Sequence, residues 1–317
     1  MKPDFLNKEI DHKEIYLSLQ EHGAWYSNGL IKKDYINNML LDFPETINFN
    51  SNNNEKVVYH HQKFVSQTFV HSQKTFDFMT NESIQKIFSD SLTSYTIKSA
   101  RYYETGRGGI SLWHQDEINS NYISNGLIFL IYLNEIKDES CGPFEFIKGS
   151  HRHSLNLKNE DFYAKKIYDN YKDKIVSVCG DSGTVIVADS KIIHRARAHV
   201  KKFVRKSLFS QVSQVSSGNI TYRERILLNP AFLNDKLLQN EKMRCFLGIN
   251  MENSNHIFPP SSLKDVPFKI IYIKHFLKWA LKGISKRIFE SLPIFLKKKL
   301  RAYAKKDKDY DSFEGKI

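Results

Sequence analysis

Hydrophobic and polar positions follow two different periods along the chain, and the change of period separates two kinds of structure. Residues 12–19, 32–41 and 81–92 repeat apolar side chains at steps of three and four, which is helical spacing. From residue 95 onward, short segments either alternate or are continuously apolar, as strands buried on one or both faces are. The pattern predicts N-terminal helices that support one side of a β structure.

Strand patterns fill the middle of the chain. Tight turns separate several of them, as at residues 180–183, where two glycines flank Asp181-Ser182. Residues 126–133 are continuously apolar, which predicts a strand buried on both faces. The predicted strands are 95–104, 126–133, 144–147, 175–178, 184–188, 192–199 and 204–212.

The C-terminal part has a different composition. Residues 264–306 contain 13 Lys and Arg and two acidic residues, a net charge of +11 (13 minus 2), out of +12 for the whole chain. Within 268–291, apolar residues recur at helical spacing beside a lysine stripe at every fourth position, from Lys274 to Lys286. We therefore divide the chain into a domain at 1–262 and a basic amphipathic helical tail at 263–317.

Two interpretations of this tail stay open. A basic helix with Phe276 and Trp279 suits the surface of an anionic membrane, where each basic residue contributes on the order of 1 kcal/mol. Under that interpretation, residues 268–306 would make peripheral membrane contact. Alternatively, the apolar stripe packs on the domain and the lysines face solvent. No recognised nucleic-acid-binding motif is present, so nucleic acid is not an expected partner.

The composition is that of a globular protein. The chain has 317 residues, of which 41% are hydrophobic and 13% aromatic. No stretch reaches the roughly 20 apolar residues of a membrane span, and the N-terminus lacks a secretory signal pattern. The three cysteines are widely spaced, so neither a disulfide framework nor a zinc site is expected. We expect a cytoplasmic protein, peripheral on the inner membrane surface if the tail binds lipid.

The run Trp113-His114-Gln115-Asp116 carries the main chemical signal. Residues i and i+2 of a strand project to one face, so His114 and Asp116 can offer a nitrogen and an oxygen ligand to one ion. His194, if a returning strand carries it alongside, completes a set of two histidines and one carboxylate. Such a triad leaves coordination positions open and suits non-haem Fe(II) and oxygen chemistry.

The segment after His194 supplies a basic anchor. Arg205 follows eleven residues later, and its planar guanidinium suits a dicarboxylate co-substrate that lies between it and the metal. On the predicted strand 192–199, small residues share the face of His194. The alternate residues are expected to face solvent or an outer sheet, namely Arg195, Arg197 and His199.

In these features the sequence resembles the phytanoyl-CoA dioxygenase family of Fe(II)- and 2-oxoglutarate-dependent oxygenases. The resemblance rests on the Trp-His-Gln-Asp run, on Gly-Pro-Phe-Glu-Phe-Ile-Lys-Gly-Ser-His at 142–151, and on the segment from Gly180-Asp181 to His194 and Arg205. It covers about residues 95–215 and fades on either side. The order and separation of these elements are more specific than any one of them.

The resemblance implies a fold and a reaction. The implied fold is mainly β with flanking α: a double-stranded β-helix, a jelly-roll barrel like that of cupins, with its core at about 95–215. Fe(II) would be held by His114, Asp116 and His194, while Arg205 and Ser207 hold the C5-carboxylate of 2-oxoglutarate. With O2, such an enzyme releases succinate and carbon dioxide and hydroxylates a small-molecule, lipid-linked or glycan-linked substrate. Tyr102 or Tyr103 would either line the co-substrate pocket or pack in the core.

Other functions are less favoured by these residues. Related halogenases replace the carboxylate ligand with a small residue, and this chain retains Asp116. A non-catalytic barrel that docks on membranes or a partner is the alternative from another class, but a binding module does not need an intact triad. The sequence leaves the substrate and the oligomeric state open, as well as the choice between a helical cap and a dimer surface for residues 217–262.

Overall fold

A computed structural model gives the structure of most of the N-terminal three quarters of the chain. The whole chain divides into two compact units, one made of residues 1–153 and 176–263 and the other of 154–175 and 264–317. The predicted basic helical tail lies outside the described residues, so both it and the predicted domain boundary stay predictions. The described residues are 3–43, 56–59, 62–65, 68–106, 113–116, 126–152, 171–197, 199–215, 227–249 and 256–257.

The N-terminal helices begin and end where the sequence provides caps. The side chains of Asp11, Ser72 and Asn81 accept hydrogen bonds from backbone N–H groups of the first turns that follow them. Gly23, in the left-handed conformation, ends the first helix. The helices are α1 (His12–His22), α2 (Lys33–Leu41), α3 (Thr68–His71), α4 (Gln73–Met79) and α5 (Glu82–Ser91).

Ten strands of the described chain form two antiparallel sheets. They are β1 (Ala24–Ser27), β2 (Lys56–Tyr59), β3 (Gln62–Val65), β4 (Tyr95–Thr105), β5 (Gly126–Tyr132), β6 (Phe144–Ile147), β7 (Ile175–Val178), β8 (Val185–Asp189), β9 (His194–Ala196) and β10 (Arg205–Gln214). The larger sheet has the order β1-β8-β5-β10-β4-β3-β2, and the smaller one β7-β6-β9. A backbone bridge between His114 and His194 adds residues 113–116 to the edge of the smaller sheet.

This architecture confirms the predicted fold class, two antiparallel sheets of a jelly-roll type with flanking helices. Strand β5 shows how the sheets share the core, because its seven residues are all buried. Leu127, Phe129 and Ile131 join the apolar cluster under the helices. Ile128, Leu130 and Tyr132 join a second cluster with Phe144 and Phe146 of the smaller sheet. The continuous apolar run thus serves two cores, one on each face.

The face of the smaller sheet that points away from this second core holds a buried ionic network. Glu145 has no exposed surface, and its Oε2 accepts a hydrogen bond from Arg195 Nε at 2.5 Å. Its Oε1 accepts from Arg197 at 2.7 Å and from the Ser177 hydroxyl at 2.6 Å. The Arg195 guanidinium also lies over the Trp113 ring, 4.5 Å from its centroid. The network therefore joins Trp113, the residue before His114, to β9, which begins at His194.

The sequence left open whether Arg195 and His199 face solvent or an outer sheet, and their burial excludes solvent. Arg195 is 6% exposed and His199 is 2% exposed. Burying a guanidinium without an anionic partner costs free energy, and Glu145, fifty residues earlier in the chain, is that partner for Arg195. The strand is also shorter than predicted, because it ends at Ala196. Residue 198, expected on the face of His194, lies outside the described residues.

The segment after β10 closes the helical side of the larger sheet. Two short helices, α6 (Asp235–Gln239) and α7 (Glu241–Leu247), follow a turn at Pro230–Phe232. Phe246 and Leu247 are fully buried in the cluster under the helices. This part of 217–262 is therefore a helical cap on the core. Within the described residues, no helix is long and apolar enough to cross a lipid bilayer.

The turn before β8 depends on a glycine. Gly183 has φ of +86°, and a Cβ built there would meet the carbonyl oxygen of Ile31 at 2.2 Å. Gly149 has a similar φ of +77° with no atom within 4 Å of such a Cβ. We expect Gly183→Ala to lower the free energy of unfolding by about 3 kcal/mol or more, and Gly149→Ala by only about 1 kcal/mol. Denaturant unfolding of both variants measures the difference, and equal losses would contradict this account.

Removing Glu145 should be costly because it leaves Arg195 buried without its carboxylate. We expect Glu145→Ala to lower the free energy of unfolding by about 3 kcal/mol. Glu139 is a matched control, since it pairs with the same Arg197 but its side chain is 56% exposed. Glu139→Ala should cost less than about 1 kcal/mol. Chemical denaturation tests both, and a Glu145→Ala protein as stable as Glu139→Ala would refute the role of the network.

Candidate active site

The three predicted metal ligands lie together at the edge of the smaller sheet. His114 and His194 exchange both backbone N–H···O hydrogen bonds, each at 2.9 Å, so their side chains lie side by side with ring centroids 4.3 Å apart. Asp116 Oδ1 is 3.3 Å from Nε2 of His114 and 3.7 Å from Nε2 of His194. One ligand atom from each residue lies within 4.8 Å of the others. Two nitrogens and one carboxylate oxygen therefore converge on a single point.

Burial and charge determine the ionisation of this group. Burial raises the pKa of Asp116, but the charge of His194, together with a hydrogen bond and charge from His114 and a hydrogen bond from Gln211, lowers it well below its usual range. Burial, and next the charge of His114, lower the pKa of His194 to about 4, against a smaller opposing effect of Asp116. At neutral pH the carboxylate is ionised and the His194 imidazole is neutral, which is the form that binds a metal.

Neighbouring groups fix the orientation of these ligands. Gln211 Nε2 donates to Asp116 Oδ2 at 2.6 Å, which leaves Oδ1 directed at the two imidazoles. Nδ1 of His194 is 3.0 Å from the carbonyl oxygen of Ile192, so a proton on Nδ1 leaves Nε2 unprotonated for a metal. Gln115 donates to the carbonyl of Lys191, and this hydrogen bond connects residues 113–116 to the turn before β9.

Gln211 is a site residue that the sequence does not single out. It lies on β10, directly opposite Ser99 of β4 and Ile128 of β5. Its other amide atom, Oε1, accepts from the Ser99 hydroxyl at 3.2 Å. A hydrogen-bonded chain from Ser99 through Gln211 to Asp116 thus links the larger sheet to the segment 113–116. A polar residue on the same face as Arg205 and Ser207 is the only signal that could have pointed to it.

Arg205 lies at the start of β10, on the inner face of the larger sheet. It is 7% exposed, and burial lowers the pKa of its guanidinium. One terminal nitrogen donates to the carbonyl of Gly142 and the other lies 3.5 Å from the Thr105 hydroxyl. Its Nε is buried without a hydrogen-bond partner, and no carboxylate pairs with it in the part of the chain that the structure describes. An anionic ligand would stabilise a buried cation in this state.

Ser207 and two tyrosines occupy the next position along the inner face. Ser207 is buried and lies directly opposite Tyr103 of β4 and Tyr132 of β5. The Tyr132 hydroxyl accepts from Phe144 N–H at 2.8 Å and donates to the Val178 carbonyl at 2.9 Å, so it joins the two sheets. Tyr102 faces the helices instead, where its ring stacks on Phe43.

The arrangement fits the groups that the sequence implied. Two imidazoles and a carboxylate on one edge form the donor set of a facial triad. The buried guanidinium without a carboxylate partner fits one end of a dicarboxylate. The three-ligand cluster and the Arg205 guanidinium both lie on the inner faces of the two sheets.

The metal-free protein should lose stability in acid because of His194. Its pKa falls from 6.5 in the unfolded chain to about 4 in the folded chain. The unfolded state therefore binds the proton more readily, and stability falls as pH drops from 6.5 to about 4, by about 3 kcal/mol. Asp116, with its lowered pKa, adds to the loss only below about pH 4.

The check is urea unfolding of metal-free wild type and His194→Gln at several pH values. The variant should show a shallower decline between pH 6.5 and 4, since its side chain takes up no proton in either state. Identical slopes for the two proteins would contradict the assigned shift.

Comparison with known proteins agrees with the geometry. A sequence profile of the family described as Phytanoyl-CoA dioxygenase (PhyH) matches residues 31–207. No curated protein sequence gives a match. Among solved structures, HygX from Streptomyces hygroscopicus, with nickel, 2-oxoglutarate and hygromycin B bound, is similar with a TM-score of 0.55 at 11% identity, over 77% of this chain and 96% of that one.

Two further structures share the fold. AviO1 from Streptomyces viridochromogenes Tue57 has a TM-score of 0.51 at 14% identity, over 66% of this chain and 98% of that one. SnoK, a non-heme alpha ketoglutarate dependent carbocyclase from nogalamycin biosynthesis, has the same TM-score and identity, over 66% of this chain and 88% of that one. Since the family profile spans more than half of the sequence, the chain belongs to the phytanoyl-CoA dioxygenase family of iron- and 2-oxoglutarate-dependent oxygenases.

Proposed function

We propose that this protein hydroxylates a small-molecule substrate, with 2-oxoglutarate and O2 as co-substrates and with succinate and carbon dioxide released. His114, Asp116 and His194 hold Fe(II), and Arg205 with Ser207 holds the C5-carboxylate of 2-oxoglutarate. The observation that carries the proposal is the pairing of a three-ligand cluster with a buried arginine that has no carboxylate partner among the described residues.

The ligand cluster supports iron because its donor atoms are ready to bind. The Asp116 carboxylate stays ionised, and the Gln211 amide holds one of its oxygens so that the other faces the imidazoles. The Ile192 carbonyl holds the Nδ1 proton of His194, so Nε2 carries a lone pair. Iron held by these three residues would supply the chemistry of binding the co-substrate and oxygen.

Arg205 supports 2-oxoglutarate because a carboxylate would supply the missing acceptor. Its guanidinium can donate two charge-assisted hydrogen bonds to one carboxylate, with the Ser207 hydroxyl on the same face as a third donor. Thr105 and the Gly142 carbonyl already fix the direction of the fork, so little freedom is lost on binding.

The chemistry of oxygen activation belongs to iron and 2-oxoglutarate when they are bound. This chain contributes position and exclusion of water. Phe144 stacks on the His194 ring at 5.3 Å and, with Leu130 and Ile128, lines the inner faces of the sheets with apolar side chains. These side chains keep the region between the ligand cluster and Arg205 apolar, which strengthens the charged contacts within it.

Hydroxylation is the outcome we favour within the family. Asp116 retains the ligand carboxylate that related halogenases lack. A structure of HygX holds hygromycin B, and SnoK is a carbocyclase from nogalamycin biosynthesis. A small-molecule substrate for this chain accords with these relatives.

The first test is succinate formation from 2-oxoglutarate with Fe(II) and O2. We expect slow turnover by wild type even without substrate, and a loss of at least about hundredfold in His114→Ala, because two ligands no longer retain the metal. Arg205→Ala should raise the KM for 2-oxoglutarate by roughly a hundredfold, which corresponds to about 3 kcal/mol of charge-assisted hydrogen bonding.

Matched variants separate the roles. Arg205→Lys keeps the charge but loses the planar fork, so its KM should lie between those of wild type and Arg205→Ala. His22→Ala, at the C-terminal end of α1 where the side chain is 30% exposed, should behave as wild type. A wild type that binds no iron and forms no succinate would refute the proposal and favour the alternative, a non-catalytic barrel.

A further inference from the structure

A buried histidine lies near Arg205, on the inner side of the two sheets. His199 forms a backbone bridge with Cys141, and directly opposite residues of an antiparallel pair point to the same side. Cys141 belongs to the apolar cluster between the sheets, so the His199 side chain points into the same region. Strict alternation from His194 would turn His199 outward, but Gly142, with a φ of +69°, interrupts the regular strand beside it.

Gly142 contacts both His199 and Arg205. A Cβ built at Gly142 would meet the His199 Cβ at 3.2 Å, so the glycine backbone packs against this histidine. The carbonyl oxygen of the same glycine accepts a hydrogen bond from the Arg205 guanidinium. Thr105 is near both side chains as well, because its hydroxyl is 3.5 Å from Arg205 and its backbone acts on the ionisation of the imidazole. The two basic groups therefore lie in one small buried region.

Both basic side chains are buried with nitrogen atoms that lack a partner. His199 is 2% exposed, and neither of its ring nitrogens has a partner in hydrogen-bond geometry. A neutral imidazole always carries one N–H, so one donor is left unsatisfied in addition to Nε of Arg205. His194 differs, because its Nδ1 is 3.0 Å from the carbonyl oxygen of Ile192. Buried polar groups nearly always have partners, so two neighbouring exceptions indicate a ligand with acceptor atoms.

The surroundings of His199 disfavour its charged form. Burial, and next the charge of Arg205, lower the pKa of its imidazole, against a smaller opposing effect of the Thr105 backbone. The other titratable groups nearby are Cys141 across the bridge and Tyr132 of β5, which interacts with Arg205 and whose pKa burial raises. No carboxylate acts on His199 within the described residues. The carboxylate of a ligand would therefore be the first negative charge beside this imidazole.

We propose that His199 and Arg205 bind the same carboxylate of 2-oxoglutarate, and that His199 takes up a proton from solvent as this carboxylate binds. A carboxylate has two oxygens, so one can accept from the guanidinium and the other from the imidazole. The proton adds to the lone pair of the imidazole, and no other bond changes. The negative charge of the ligand favours the protonated imidazole. This inference rests on the proposed function, because it takes Arg205 as the anchor of the co-substrate.

Proton uptake makes the affinity for 2-oxoglutarate depend on pH. The complex holds more protons than the free protein, so the affinity rises as pH falls. The rise ends below the pKa of the imidazole in the free protein, because both states are then protonated. The carboxylates of 2-oxoglutarate stay ionised between about pH 8 and pH 6, so they do not contribute to the change.

Calorimetric titration of 2-oxoglutarate into full-length protein saturated with Ni(II) measures the uptake. Nickel occupies the three metal ligands, which then do not titrate, and its replacement of iron prevents turnover. The measured heat differs between phosphate and Tris buffers of the same pH in proportion to the protons taken up. At about pH 7 we expect wild type to take up about half a proton or more per 2-oxoglutarate. Its affinity should rise about tenfold from about pH 8 to pH 6.

Two substitutions of His199 separate protonation from hydrogen bonding. His199→Asn retains a polar N–H donor but cannot be protonated, so the uptake should vanish and the affinity should change less than about twofold over the same pH range. His199→Phe has no donor and should bind 2-oxoglutarate at least about tenfold more weakly than wild type at about pH 6. If His199 had only a structural role, its replacement would lower the free energy of unfolding but leave the proton uptake unchanged.

His12→Asn is the matched control. Burial also lowers the pKa of His12, and its Nδ1 also lacks a hydrogen-bond partner, but this histidine lies on α1, beside Asp90. The variant should take up as many protons as wild type. Binding of 2-oxoglutarate by wild type without uptake, uptake retained in His199→Asn, or an equal loss in His12→Asn would overturn the proposal.

Glutarate distinguishes the failure of this proposal from that of the proposed function. A wild type that binds no 2-oxoglutarate in the presence of Ni(II) would refute the proposed function. Glutarate has two carboxylates but no keto oxygen, so in that case it is titrated into metal-free protein as a probe of the Arg205 region alone. Binding of glutarate with an uptake that His199→Asn lacks would still establish the carboxylate site. Equal uptake by the two proteins, or no binding, would overturn it.

Discussion

The backbone hydrogen bonds between His114 and His194 determine the geometry of the site. Because the two residues form an antiparallel pair, their rings must lie on the same face, and Asp116 follows two residues later on that face. Displacing this pairing by one residue would turn one imidazole to the opposite side. The Arg195 contacts to Glu145 and Trp113 lie on the back of the same strands and stabilise that register.

The protein buries several charges, and each is compensated differently. The charge of Glu145 is compensated by Arg195 and Arg197 of the same fold, so it needs no ligand. The negative charge of Asp116 is stabilised by two imidazoles and an amide, and a divalent ion would stabilise it further. Arg205 has a carbonyl and a hydroxyl but no carboxylate partner in the described residues. The charges of Asp116 and Arg205 are thus incompletely compensated by the folded chain, and ligands can compensate them. Such charges are typical of functional sites.

Much of the fold and site could be predicted because it depends on local rules. The two-residue period of a strand places His114 with Asp116 and Arg205 with Ser207, and the continuous apolar run of β5 indicates burial on both faces. Other features depend on distant partners. Arg195 is buried with Glu145 as its partner, and Gln211 of β10 donates to Asp116, 95 residues earlier in the chain. Separation along the chain, not residue type, limits such predictions.

The separation of the ligands along the chain also has a consequence for biosynthesis. His114 and Asp116 leave the ribosome roughly eighty residues before His194, and Arg205 follows later still. The early pair has no complete site until the returning strand has been made and paired, a contact of high sequence separation. Metal loading is therefore a late event in the life of the nascent chain. A ribosome-bound fragment that ends before residue 194 would carry two of the three ligands and would lack the second imidazole.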